Sequence, residues 1–179
     1  MMPRVPILSR EDLAESDRDI YDDYERVRKV GPSVIHRAIA NAPALLRAYM
    51  PISNELRFGT KLDPWLRELA IVMVGHVTHS SYEVEAHSRF ALKEGVRPEQ
   101  LQQLSLFESS AVYNTAERAV IRYAAEVTLK RQVARPTFEA LQKEFNDDVI
   151  VELVLQVGFY NSVVRILGAF GIEAERPKS

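Results

Sequence analysis

The chain has 179 residues, no cysteine, 46% hydrophobic and 27% charged residues, and a formal net charge of −2. Without cysteine, disulfide scaffolds, thiolate metal sites and thiol redox chemistry are excluded. The mixed charges and sequence pI of about 6.1 give no basic footprint for nucleic acid, and the length fits one domain able to bury a full core.

No apolar run near the N-terminus has the length of a secretory h-region. The longest apolar stretches, Leu69 to Val74 and Val149 to Val157, are interrupted by polar residues and fall short of the roughly 18–20 residues that cross a bilayer. The expectation is a cytoplasmic protein that engages neither nucleic acid nor membrane.

Glycine and proline fall between apolar-periodic segments, the punctuation of an all-α chain. Ser9 and Asp12 predict a cap opening a charged, largely solvated helix that ends near Val30, before Gly31-Pro32. A short segment over Ser33 to Ala40 follows, then a helix from Asn41-Ala42-Pro43 to about Phe58, stopped by Gly59. Asp63-Pro64 starts a helix whose sequence WLRELAIVMVGHV is apolar around most of its circumference, which predicts burial on several sides.

After a break near Thr78 to Ser81, a helix is expected to about Glu94, with Gly95 beyond it and a short helix from Pro98 to Leu104. Asn114 with Glu117 forms a capping pattern ahead of an amphipathic helix that places Ala116, Ala119, Val120, Tyr123, Ala124 and Val127 on one stripe. Pro136 to Phe145 is a further helix, and Asp147 begins a last long one whose apolar coverage predicts burial against both its own domain and a partner subunit.

His76, His79 and His87 fall within twelve residues, GHVTHSSYEVEAH, together with Glu83 and Glu85. Glu83 and His87 are four apart and share a helix face, so they supply a carboxylate and an imidazole for acid–base work. The plain alternative is a surface i,i+4 pair. His79, Glu83 and His87 suggest a metal by spacing, but on a continuous helix the outer two stand about 12 Å apart, too far to share one ion. A metal would need one adjacent pair with ligands from elsewhere, and the expectation is no metal. His36 is isolated and is assigned no role.

The stretches RELAIVMVGHVTHSSYEVEAHSRFAL, NTAERAVIRYAAEVTLK and VELVLQVGFYNSVVRILGAFGIE resemble the carboxymuconolactone decarboxylase family of the alkylhydroperoxidase-D-like fold, in order and spacing, from about Pro43 to Ile172. The resemblance implies one all-α domain over residues 1–179, with 1–32 as a helical extension and 43–172 as the core. It also implies a homo-oligomer, trimeric or hexameric. In the peroxidase branch of that fold a Glu is followed by two Cys and a His; Glu68, Ser80, Glu83 and His87 stand at those positions here.

Both thiol positions are thus replaced, which removes thiol peroxidase activity. The retained residues are similar to the cysteine-free branch, which implies a cofactor-independent lyase that removes CO2 from a small carboxylated lactone. His87 is expected as proton donor or oxyanion partner. Glu83 and Glu68 would orient it, or one of them stays protonated in a dry pocket.

Tyr82 is read as a substrate hydrogen-bonder or a packing aromatic, and Ser80 as a helix cap or substrate contact. His76 and His79 join them as substrate-side candidates. Arg165, in an apolar helix, calls for a carboxylate such as Glu68, a subunit interface or an anionic substrate. Asn161 is read as a donor to a bound carbonyl or as a partner for backbone groups.

Isomerisation or dehydration at the same site, and a non-catalytic oligomeric binding protein, are the alternatives. A lyase predicts that Glu68, Glu83 and His87 converge in a largely apolar pocket. Side chains facing bulk solvent, or sealed by mutual packing, would argue against it.

Overall fold

In the computed structural model, which describes residues 2–174, every regular element among those residues is helical. The chain divides into two compact units. The first comprises residues up to Gly59 together with Ile166–Ile172; the second comprises Thr60–Arg165 and the segment beginning at Glu173. Two separate apolar clusters explain the division, because each unit buries its own core.

The first unit contains a 3₁₀ turn at Glu15–Asp17 and the helices α1 (Asp19–Arg28), α2 (Val34–Ile39) and α3 (Pro43–Phe58). Ser9 does not open a helix. Its N–H and hydroxyl both donate to Asp12 Oδ2 at 2.7 Å, closing a local turn, and Ala14 is extended, so α1 begins later than the capping pattern suggested. Nor is α1 merely a solvated face: Ile20, Tyr21 and Tyr24 are buried with Leu13, Ala40, Leu46 and Met50. It ends at Lys29, in the left-handed conformation, before Gly31 is reached.

The second unit is built on α4 (Pro64–Val77), which packs against α5 (Ser81–Lys93) and α7 (Thr115–Lys130). Its residues from Leu66 to Gly75 are all buried, as its all-round apolar sequence requires. The Asp63 side chain makes no capping bond; Pro64 at the first helical position and the non-helical backbone of Asp63 set the start. At α7 the capping box forms as expected, with Glu117 N–H donating to Asn114 Oδ1 (2.8 Å) and Asn114 N–H to Glu117 Oε2 (2.9 Å). Helices α6 (Pro98–Gln102) and α8 (Arg135–Glu144) complete the unit with the larger part of α9 (Asp147–Phe170).

The close approach of α4 and α5 depends on Gly75. A Cβ there would lie 3.0 Å from Glu83 Cβ and 3.1 Å from the Val84 backbone nitrogen, tighter than ordinary contact. The turn between the helices passes through His79 at φ 57°, a left-handed conformation rare for a residue with a Cβ.

Helix α9 has a different character from α4. Leu153 and Val157 are buried, but Val151, Val154 and Leu155 are 56, 39 and 52% exposed. Although no uninterrupted apolar run reaches bilayer length, the 24-residue helix as a whole is long and apolar enough to cross a membrane by length and composition.

Candidate functional site

Glu68 lies in the middle of α4, and Glu83 and His87 lie one turn apart on the face of α5 turned toward it. Because Gly75 lets the two helices touch, the three side chains meet. His87 Nδ1 is 2.7 Å from Glu68 Oε2. On the other side of the ring, Nε2 is 3.4 Å from Glu83 Oε2, but the alignment is poor, and that oxygen has no hydrogen-bond partner among the described residues.

Glu68, Glu83 and His87 are 1, 2 and 6% exposed. The surface-pair alternative for Glu83 and His87 is therefore overturned: packing of α5 on α4 removes both from water. Burial pushes the Glu83 carboxyl above its ordinary value, the facing imidazole pulls it down, and the neighbouring Glu68 pushes it up again. The rings of Tyr160 and Phe90 stand edge-on to His87, at centroid distances of 4.8 and 5.5 Å, so aromatic surface flanks the imidazole.

The cation at Glu68 is not Arg165. Arg67, also buried, has its Nε 3.3 Å from Glu68 Oε1. Arg165 is exposed and donates to the backbone carbonyl and Oδ1 of Asn161, while Asn161 Nδ2 donates to Thr128 Oγ1 (2.8 Å) and to the Val157 carbonyl (3.0 Å). That network ties α9 to α7 and leaves Arg165 without the carboxylate the sequence called for. Sequence reasoning passed over Arg67, although a guanidinium in an apolar helix beside Glu68 carries the same signal that drew attention to Arg165.

The remaining candidates lie at the α4–α5 junction. His76 and His79 are exposed, so the cluster of three histidines seen in sequence does not form one site. Ser80 occupies the N-cap position of α5 without a side-chain capping bond, and Tyr82 is half-buried. No group of three His, Asp or Glu side chains among the described residues is arranged to hold a metal ion. Glu68 and Glu83 face opposite nitrogens of one ring, which suits a proton path and not a shared metal centre.

Among solved structures, the chain is similar to a cysteine-to-alanine variant of the debrominase Bmp8 in complex with 2,3,4-tribromopyrrole, at 18% identity and a TM-score of 0.82, covering 98% of this chain and 93% of that one. An uncharacterized peroxidase-related protein with an alkylhydroperoxidase AhpD core from Ralstonia eutropha JMP134 matches at 20% identity and 0.78, covering 98% and 92%. A peroxidase-related protein from Silicibacter sp. TM1040 matches at 22% and 0.77, covering 93% and 87%. At these identities the likeness is one of fold. No curated protein sequence matches significantly.

The profile of the carboxymuconolactone decarboxylase family matches residues 43–126, a span that contains Glu68, Glu83 and His87. Over that span, just under half of the chain, the sequence is similar to the carboxymuconolactone decarboxylase family, and the fold is all-α and alkylhydroperoxidase-D-like, in a chain without cysteine.

Proposed function

We propose that Glu68, His87 and Glu83 form the acid–base site of a cofactor-independent, decarboxylase-like lyase acting on a small carboxylated lactone. The observation that carries this reading is the buried imidazole held between two carboxylates, one hydrogen-bonded at 2.7 Å and the other with an unpartnered oxygen. The first carboxylate fixes the ring, and the second is free to exchange a proton with a bound molecule.

Loss of CO2 from a carboxylated lactone leaves an electron pair that the unsaturated ring holds as a dienolate. One proton delivered to carbon then completes the reaction, so no electron carrier is needed. A buried acid whose proton affinity is raised by burial is suited to that delivery. The edges of Phe90 and Tyr160 supply apolar surroundings in which a developing oxyanion interacts strongly with the imidazole.

The test is CO2 release from carboxymuconolactone by the purified protein. Turnover is expected, with His87→Ala lowering it by about 10²–10⁴-fold. No release by the wild type, or undiminished release by His87→Ala, sinks this reading. A double-bond shift or loss of water without CO2 would instead identify an isomerase or dehydratase using the same groups.

One observation favours a second reading. The near-complete burial of Glu68, Glu83 and His87 suits a polar cluster that specifies the packing of α4 on α5 in a non-catalytic protein. On that reading His87→Ala lowers stability and no substrate of this class is turned over. Under either reading we propose a homo-oligomer, trimeric or hexameric, supported by the exposed Val151, Val154 and Leu155 face of α9; light scattering reads the subunit number.

A further inference from the structure

We propose that Arg67 is a positioning residue that holds Glu68 as the anion of this site, so that the transferable proton resides on Glu83. The inference rests on the acid–base reading above and deepens it by assigning a role to a residue outside the Glu68–His87–Glu83 set.

The charge balance of the buried cluster leads there. Arg67 from α4 brings one permanent positive charge, and its Nε lies 3.3 Å from Glu68 Oε1. The same carboxylate faces His87 Nδ1 at 2.7 Å through its other oxygen. A carboxylate with a guanidinium on one oxygen and a ring N–H on the other is satisfied as an anion and is poorly placed to hold a proton of its own. Its bond to Nδ1 puts the ring proton there and turns the Nε2 lone pair toward Glu83.

Glu83 is then the second carboxyl beside a permanent cation, Arg67, that already faces Glu68. Were it ionised, Oε2 would be a buried anionic oxygen without a hydrogen bond, with an imidazolium 3.4 Å away and out of alignment. That arrangement carries a desolvation cost that the neutral acid avoids. Among the described residues, the groups seen to face this pair are Arg67 and Glu68 from α4, His87 on α5 itself, and Tyr160 from α9. The poor alignment with Nε2 also leaves the Glu83 O–H uncommitted, which a proton donor requires.

The catalytic step balances on this inventory. The substrate carboxylate leaves as CO2, its electron pair stays on the ring as a dienolate, and the Glu83 O–H bond breaks as the new C–H bond forms. The resulting Glu83 carboxylate regains its proton from water as the product leaves. Glu83 replaces one of the two thiols of the peroxidase branch, so the substitution that ends thiol chemistry installs a carboxylic acid in its place.

Infrared spectroscopy of the intact protein at neutral pH tests the assignment without substrate. The wild type should show the carbonyl stretch of a protonated carboxylic acid, lost in Glu83→Gln and retained in Glu68→Gln. In Arg67→Met the proton should redistribute toward Glu68, so that the band becomes sensitive to Glu68→Gln, and Arg67→Lys should restore the wild-type pattern. Nitrogen NMR of His87 should report the Nδ1–H tautomer in the wild type and its loss in Arg67→Met.

A wild type lacking the band, or a band that survives Glu83→Gln, overturns the proton assignment. An unchanged spectrum in a folded Arg67→Met protein overturns the role of Arg67. Because none of these readouts needs turnover, a correct proton pattern with no CO2 release would refute the lyase reading alone.

Discussion

Each compact unit buries one histidine, and the two are handled in opposite ways. In the first unit His36 is enclosed by aromatic rings, with Tyr24 at 4.8 Å and Tyr49 at 5.8 Å between centroids, and its Nδ1 lies 2.7 Å from Ser33 Oγ. Among the described residues no carboxylate is hydrogen-bonded to it, and Nε2 is buried without a hydrogen-bond partner. In the second unit His87 lies between two carboxylates, with a guanidinium beside one of them. Burial alone therefore does not make a histidine chemically useful. Among the described residues His36 meets a hydroxyl and no carboxylate, whereas His87 links an anion to an acid.

The largest expected effect tests the inert member of the pair. Burial, reinforced by the Arg28 charge, pushes His36 down from 6.5 to about 3, so the folded unit refuses a proton that the unfolded chain accepts near the ordinary value. The stability tied to His36 is complete above about pH 6.5 and is lost as pH falls toward 3, on the order of 4 kcal/mol at the acid end. Glu83 has the opposite sign. Its raised value makes its contribution complete below the ordinary 4.5 and lost as pH rises through the elevated one. Denaturant melts across pH should show the acid loss relieved by His36→Gln and the loss on raising pH above 4.5 relieved by Glu83→Gln. If the two variants lose stability in parallel with the wild type at both ends, the contrast between the units is wrong.

A middling effect is expected where the second unit brings its site together. In Gly75→Ala the added methyl meets Glu83 Cβ and the Val84 backbone nitrogen at 3.0 and 3.1 Å, and backbone does not yield as a flexible side chain does. Overpacking of this kind costs roughly 1–3 kcal/mol, against about 1 kcal/mol gained by removing glycine from a helix interior. The net expectation is destabilisation by about 1 kcal/mol, with a weakened Glu68–His87 hydrogen bond seen as a shift of the His87 ring proton. An unchanged or raised Tm with the proton signal in place would show that α4 and α5 do not depend on this contact.

Much of the fold was legible because punctuation is local. Pro43, Pro64, Gly59 and the Asn114–Glu117 box each act within a turn of themselves, and the helices begin and end beside them. Ser9 and Asp12 misled for the same reason: the pair satisfies one turn equally well whether or not a helix follows. The Glu68, Glu83 and His87 trio was legible through helical spacing and the family pattern, since both describe one face of two adjacent helices.

What the pattern did not carry was burial set by distant packing. His36 gives no sequence sign of its aromatic enclosure, and Arg67 and Arg165 both sit in apolar helices, yet only Arg67 is buried. Residue type and local spacing do not say which side of a helix a neighbouring element will cover.

The smallest effect concerns His79, which sequence grouped with His87. Its side chain is exposed and its backbone is left-handed at φ 57°, so what the junction requires there is a conformation, not an imidazole. A left-handed residue with a Cβ costs roughly 1–2 kcal/mol, while glycine returns roughly 0.5–1 kcal/mol of that through the greater freedom of the unfolded chain. His79→Gly should therefore raise stability by somewhat under about 1 kcal/mol and leave turnover at the wild-type level. Paired kinetic and melting measurements decide the matter: a stable variant with reduced kcat or raised KM would put His79 in contact with substrate and extend the site to the junction. Unchanged kinetics would confine the chemistry to the buried imidazole, where two carboxylates give it something to exchange.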